Sequence, residues 1–266
     1  MNIIKKNIFQ FAEPLISSRS LQFLTGDFGK GRYKLMAEPF SFSGCSAVFG
    51  QMTDIVQHGI EKWRDGDRVP LHESMMKLAI NIITQTNFGA HFKDENNSKN
   101  IHRQYSSLVN DMDDCLNGSW SFGFGERQVK FDESVRVFKS EMKKIVTEHR
   151  ARKDDGDYNL APFLDAIIDN LDDEDEVIHQ AITFMIGGFH TTGTYMTWFL
   201  HFLSHRPDIQ RKVREEVRRV RAEEGFSGIN DIKKLVYTSK VMNETLRFSK
   251  VGFFSQRQEG VNILLL

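Results

Sequence analysis

AITFMIGGFHTTGTYMTWFLHFL, from Ala181 to Leu203, is the longest apolar run in the chain, and Gly187, Gly188, His190, Thr191 and Thr192 interrupt it at its centre. A helix that is hydrophobic all round is buried in a protein or a membrane. One with a small, polar notch halfway along has something lying against the notch. Glycine inside a helix costs about 1 kcal/mol relative to alanine, so two in a row need a reason. Two are open: close packing of another helix, or the approach of a flat ligand to bare backbone. Thr191 and Thr192 also have two readings. Each hydroxyl can bond back to the carbonyl four residues earlier, or face a ligand. The run is long enough to span a membrane, but Thr183, His190, Thr191, Thr192, Thr194, Thr197 and His201 within it favour a buried helix.

Composition bounds the rest. The 266 residues suit one large domain or two small ones, with 40% hydrophobic residues for a core and 27% charged. A net charge of −1 gives a nucleic-acid role no electrostatic support. Two cysteines, Cys45 and Cys115, exclude a disulfide framework and a cysteine-rich metal centre. No signal peptide is read at the start, because the apolar stretch from Phe9 to Ile16 is short and holds Glu13 and Pro14.

Around the central run the pattern is mainly α. Gly26, Gly29 and Gly31 in GDFGKGRYK read as a flexible basic turn. Helices are predicted from Phe42 to Trp63 and from Leu71 to Phe88, with Gly89 as a left-handed terminator. Lys93 to Asn100 reads as a loop. Two amphipathic helices come next, one carrying Ile101, Tyr105 and Leu108, the other Phe131, Val135, Phe138, Met142 and Ile145. Between them GSWSFGFGER presents Trp120, Phe122 and Phe124, either as a lid or membrane-touching tip or as tucked loop aromatics. Arg150 to Asp157 reads as a charged linker, Pro162 to Asn170 as a short helix, and Asp172 to Glu176 as an acidic start that favours the central helix dipole. Pro207 opens a basic helix striped by Ile209, Val213, Val217 and Val220, with Lys212/Glu216 among its i, i+4 pairs. A last helix runs from Val236 to Phe248, and GVNILLL reads as strand-like.

Chemistry-bearing constellations are few. His201 and His205 lie four apart, a spacing for two metal ligands, but HFLSH lacks the glutamate of HExxH and a third ligand, so no metal site is assigned. Glu244 and Arg247 sit three apart in NETLR, as a surface pair of little worth or as a buried pair that fixes a core.

The order of these motifs carries a resemblance. MIGGFHTTGTYMTWFLHFLSHRPDIQRKVREEV is similar to the I and J helices of a cytochrome P-450, and NETLR to that superfamily's K-helix ExxR motif. NLAPFLDAIID resembles the H helix, and INIITQTNFGAHF the E helix with its terminal FG. EKWRDGDRVPLHESMM, the glycine-aromatic loop and KVGFFSQRQEG look most like animal family 20.

By this resemblance, residues 1–266 are expected to form a single partial domain of a mainly α cytochrome P-450 fold, about helices B/C to K. The I helix is expected at about 173–204, J at 206–224 and K at 236–249. The N-terminal sheet and anchor and the C-terminal heme-thiolate loop are expected to be missing, and neither Cys45 nor Cys115 is assigned as iron ligand. The implied activity is that of a heme-thiolate monooxygenase acting on a small apolar substrate, with an NADPH-dependent reductase as partner. Thr191 matches the threonine of oxygen activation and Gly188 the glycine that gives oxygen room, with Gly187 and Thr192 beside them. His190 stands where an acid is usual. Glu244 and Arg247 are the structural ExxR pair. Arg257, and Arg32 or Lys34 from the C helix, correspond to heme-propionate contacts. The full-length relative is expected at the cytosolic face of the endoplasmic reticulum membrane, held by an anchor outside this chain. The piece alone is expected to be inactive, and the competing reading is a non-catalytic helical interaction protein.

Overall fold

The computed structural model describes residues 15, 17–21, 24, 26–116, 118–120, 123, 125–154, 161–224, 228–249 and 251, and the GVNILLL run and Arg257 lie outside them. Among the described residues there are nine α-helices and no strand. They are α1 Gly26–Ala37, α2 Phe42–Ile60, α3 Leu71–Asn87, α4 Glu95–Leu116, α5 Gly125–Asp154, α6 Pro162–Asn170, α7 Glu174–His205, α8 Pro207–Glu224 and α9 Val236–Phe248. Short 3-10 turns at Glu38–Phe40, Gly89–Lys93 and Ile229–Lys234 join some of them.

The acidic start of α7 acts as a cap. Asp173 accepts from the backbone N–H groups of Asp175 at 2.9 Å and Glu176 at 3.3 Å, donors that a helix N-terminus otherwise leaves unmet. In the first half of α7, Val177, Ile178, Ala181, Ile182, Met185 and Phe189 are all buried. They share one core with Ile80 of α3, Leu108 of α4, Phe138 and Met142 of α5, and Phe163 of α6. The α5 stripe read from the sequence is buried throughout, from Phe131 to Ile145. Phe163 rests on Phe184 of α7 with ring centroids 4.3 Å apart, and Phe40 stacks on the same Phe184 at 5.4 Å.

α3 lies along α7 where two side chains are missing. A Cβ at Gly188 would fall 2.7 Å from Ile83 Cδ1. A Cβ at Gly193 would fall 2.5 Å from Met76 Sδ and 3.0 Å from Met76 Cα. The second contact is with backbone, which cannot swing aside. At Gly187, by contrast, nothing lies within 4 Å of the same position.

Several local expectations change. GDFGKGRYK is the start of α1, not a flexible turn. Gly26 alone takes positive φ (+66°), and Gly29 is buried where a Cβ would meet Leu24 backbone at 2.9 Å. The stretch 93–100 is mostly helix, because Asp94 accepts from Asn96 N–H at 2.9 Å and so caps α4. The charged stretch after Arg150 continues α5 to Asp154. The helix is extended by Lys153, which bonds Asp169 at 2.7 Å, one turn after buried His149 donates to Asp165 at 2.9 Å. Gly89 is left-handed as predicted (φ +76°), and a Cβ there would sit 3.1 Å from His149 Nδ1. Trp120 is tucked: its indole N–H donates to Asp111 O at 2.9 Å. Phe122 and Phe124 lie outside the described residues. Glu216 does not serve Lys212. It accepts from Tyr237 N–H at 2.7 Å and Thr238 N–H at 2.8 Å, capping α9 from α8. Burial opposes the ionised Glu216, yet these backbone donors hold its pKa below the usual carboxylate value.

The three α7 glycines therefore respond differently to substitution. Gly187→Ala is expected to raise stability by up to about 1 kcal/mol, the helix propensity gain alone. Gly193→Val overpacks the α3 contact and is expected to cost about 1–3 kcal/mol. Denaturant unfolding followed by circular dichroism measures both, and equal effects at the two positions would refute the assigned packing.

Candidate active site

Beyond Phe189 the character of α7 changes. Gly187, Thr191, Trp198, His201 and His205 are all exposed, and they fall at spacings of three, four or seven residues along one face. The core holds the opposite side. Gly187 thus offers bare backbone outward, while Gly188, one residue on, is consumed by the contact with Ile83. Close helix packing therefore accounts for Gly188, while Gly187 has room beside it among the described residues.

Thr191 bonds back to the helix and is also exposed. Its hydroxyl donates to Gly187 O at 2.6 Å, which ties up the proton and leaves the oxygen lone pairs on the exposed side. Thr192, also exposed, lies a further 100° or so round the helix.

His190 points elsewhere. It lines a cleft of about 270 Å³ between α3, α4 and α7, together with His72, Glu73, His102 and Tyr105. Phe189, fully buried, packs against three of the residues that line the cleft. Its ring meets Tyr105 edge-on at 4.7 Å, His102 at 5.9 Å and His190 at 6.5 Å. Burial lowers the His102 pKa below the usual imidazole value; Glu73 opposes that shift and His72 adds to it. Burial thus favours the neutral ring of His102. Nothing in the sequence singles out His72, Glu73 or His102, since they lie on two helices about thirty residues apart and only the fold joins them.

Glu244 and Arg247 are a bidentate pair on α9, with Arg247 Nε donating to Oε2 at 2.9 Å and Nη2 to Oε1 at 2.7 Å. Of the two readings the structure has the exposed one, with 56% and 63% of the side chains accessible. The hydrogen bond from Arg247 holds the Glu244 pKa down, and the guanidinium lies 3.9 Å from the centroid of Phe248.

Arg32 pairs with Glu176 of α7. Its Nε lies 2.9 Å from Glu176 Oε1, with that carboxylate almost fully buried, and its guanidinium covers Phe28. Glu176 precedes Gly187 by eleven residues, about 16 Å along the helix. The pair docks α1 on the start of α7. Arg257 lies outside the described residues. Cys45 contributes a weak bond to Phe40 O at 3.7 Å, and Cys115 packs against the core. Among the described residues no group of three or more His, Cys, Asp or Glu is arranged to hold a metal ion, and no helix is long and apolar enough to cross a membrane.

Comparison with known proteins gives this geometry its setting. The family model described as Cytochrome P450 matches residues 23–259. Cytochrome P450 20A1 of Mus musculus is 22% identical over 217 residues, covering 80% of this chain and 46% of that protein. A cytokinin hydroxylase of Arabidopsis thaliana is 28% identical over 254 residues, covering 86% and 48%. The solved structure titled "Crystal structure of cytochrome P450DA heme domain" superposes with a TM-score of 0.75 at 18% identity, over 90% of this chain and 54% of that one. The chain spans about half the length of the curated relatives it matches. With the mainly α fold, the family model spanning nearly the whole sequence and this structural likeness, the chain belongs to the cytochrome P450 family.

Proposed function

We propose that this chain forms the oxygen-side wall of the heme pocket of a monooxygenase that oxidises a small apolar substrate. The observation that carries this reading is the bare backbone at Gly187, with no atom of the described residues beyond its own helix backbone within 4 Å of its Cβ position and the Thr191 hydroxyl one turn on. The described residues leave that face open to a flat macrocycle, whereas the space at Gly188 and Gly193 is filled from α3 by Ile83 and Met76. Heme, when bound there, supplies the iron at which dioxygen is activated. The helices α7, α8 and α9 then take the places of I, J and K in one partial domain.

The chain's own residues position and move protons. Thr191 Oγ1, held by Gly187 O, is fixed in one rotamer and presents its oxygen to the reacting side. His190 sits at the junction between this face and the His72–His102–Glu73 cleft. An imidazole in that place takes a proton from the cleft and passes it towards Thr191, the service an acid gives elsewhere. Thr192 borders the same path. Glu244 and Arg247 stiffen α9 beneath the groove that runs along the end of α7, and Gly188 fixes how α7 is turned. Arg257 and Arg32 are kept as propionate contacts, Arg32 from its place on α1 beside Glu176. Electrons come from an NADPH-dependent reductase, and the whole protein works at the cytosolic face of the endoplasmic reticulum membrane through an anchor that is not among the described helices.

A second reading, a non-catalytic helical protein, is favoured by one feature. A groove of about 580 Å³, lined by Phe202, Leu203, Ile209, Val241 and Phe248, opens between the end of α7, α8 and α9. Exposed apolar surface of this kind suits a partner.

Two measurements test the enzymatic reading. Thr191→Ala in the whole enzyme is expected to lower product formed per NADPH consumed by roughly tenfold or more, with heme content unchanged; unaltered coupling would remove Thr191 from the mechanism. In the 266-residue chain, neither Cys45 nor Cys115 is assigned to iron. Adding heme, reducing it and exposing it to carbon monoxide is therefore expected to give no thiolate-type Soret band. A clear band would contradict that assignment.

A further inference from the structure

The exposed face of α7 ends in a pair of imidazoles, His201 and His205, whose ring centroids are 4.5 Å apart and whose planes are inclined by 52°. His205 Nδ1 lies 2.9 Å from the His201 carbonyl oxygen and 3.2 Å from Ser204 Oγ. A carbonyl oxygen only accepts, so Nδ1 carries the hydrogen, and the lone pair of the neutral ring is on Nε2. An imidazole that donates its other N–H to a backbone carbonyl is oriented as a metal ligand.

The spacing selects a geometry. Two imidazole nitrogens, each about 2.0–2.1 Å from one ion, put their ring centroids about 4.5 Å apart when the bonds meet at a right angle and about 5.2 Å apart in a tetrahedron. The observed separation matches the right angle, the cis arrangement of a tetragonal ion. Such an ion takes water in its remaining positions and needs no third side chain. The missing glutamate and third ligand, which weigh against a zinc site of the HExxH type, do not weigh against this one. Glu244, across the groove from His205, is engaged by Arg247 in both of its oxygens, and the cations Arg206 and Lys240 line the same groove.

We propose that His201 and His205 form a two-histidine chelate for a late first-row divalent ion, Cu(II) before Ni(II) and Zn(II). The order is the affinity sequence of nitrogen ligands for these ions. The ion closes the last turn of α7 by joining side chains one turn apart. The site lies ten residues beyond Thr191, about 15 Å along the helix, so it stands or falls separately from the heme face.

Trp198, on the same face, has its ring centroid 5.8 Å from that of His201 and reports the ion by quenching. Titrating the 266-residue chain with Cu(II) is expected to quench tryptophan fluorescence saturably. That component is expected to vanish in Trp198→Phe. His201→Asn and His205→Asn are each expected to weaken it roughly tenfold or more. Circular dichroism checks that the variants keep their helices. Electron paramagnetic resonance of the Cu(II)-loaded parent chain is expected to show splitting from two imidazole nitrogens, which does not depend on any variant folding. Absence of saturable quenching, quenching of Trp198 that survives both histidine substitutions, or Zn(II) displacing Cu(II) at equal concentration would overturn the proposal.

Discussion

Two missing side chains, at Gly188 and Gly193, let α3 lie directly on α7, and the remaining architecture depends on that contact. Ile83 and Met76 fill the space, so α7 cannot turn about its axis without driving a Cβ-bearing position into α3. With the rotation fixed, Phe189 is directed into α4, where Tyr105 meets it edge-on. His190 is directed into the cleft beside it, and Gly187 and Thr191 are directed away from the core. A helix buried over its first half and open along one face of its second is the outcome. The glycines cost helix propensity, but one of each kind is needed: one to be touched by protein, one to be touched by nothing.

Polar groups then fix what the apolar core leaves free. Gln180 is fully buried on α7. Its amide donates to Arg19 O at 3.0 Å and accepts from Leu21 N–H at 2.9 Å, so an otherwise irregular segment is held against the helix. Arg19 also reaches the capping residue Asp173. Arg32 and Glu176 dock α1 about three turns before the notch region begins; their burial costs desolvation, so the pair specifies position more than it adds stability. At the other end Glu216 supplies α9 with the cap that its own preceding residue, Leu235, lacks. Satisfying buried and terminal groups in this way leaves the helices with defined ends and the open face with a defined direction.

Much of this is legible in the sequence because periodicity and caps are local. The buried stripe from Phe131 to Ile145, the short helix at Pro162–Asn170, the acidic cap and the left-handed Gly89 are all written in neighbouring residues. The illegible part depends on residues far apart. Glycines in GDFGKGRYK read as a turn until Leu24 is seen to need the space at Gly29. Charges after Arg150 read as a linker until Asp165 and Asp169 are seen to meet Lys153 and His149. Arg32 matches a family role in one dimension, and its carboxylate partner lies 144 residues away. The division of labour between Gly187 and Gly188 and the histidine cleft around His190 have the same origin: each requires α3 and α4 to be in place.

If heme lies against Gly187, a bulky side chain at that position must keep it out. Heme incorporation by the whole protein carrying Gly187→Phe, read as Soret absorbance against protein absorbance, tests this most directly. The side chain enters open space and leaves the α3 contact untouched, so helicity by circular dichroism is expected to be unchanged while heme content falls to a small fraction of the parent's. Normal heme content in a folded Gly187→Phe protein would contradict the placement of heme on this face.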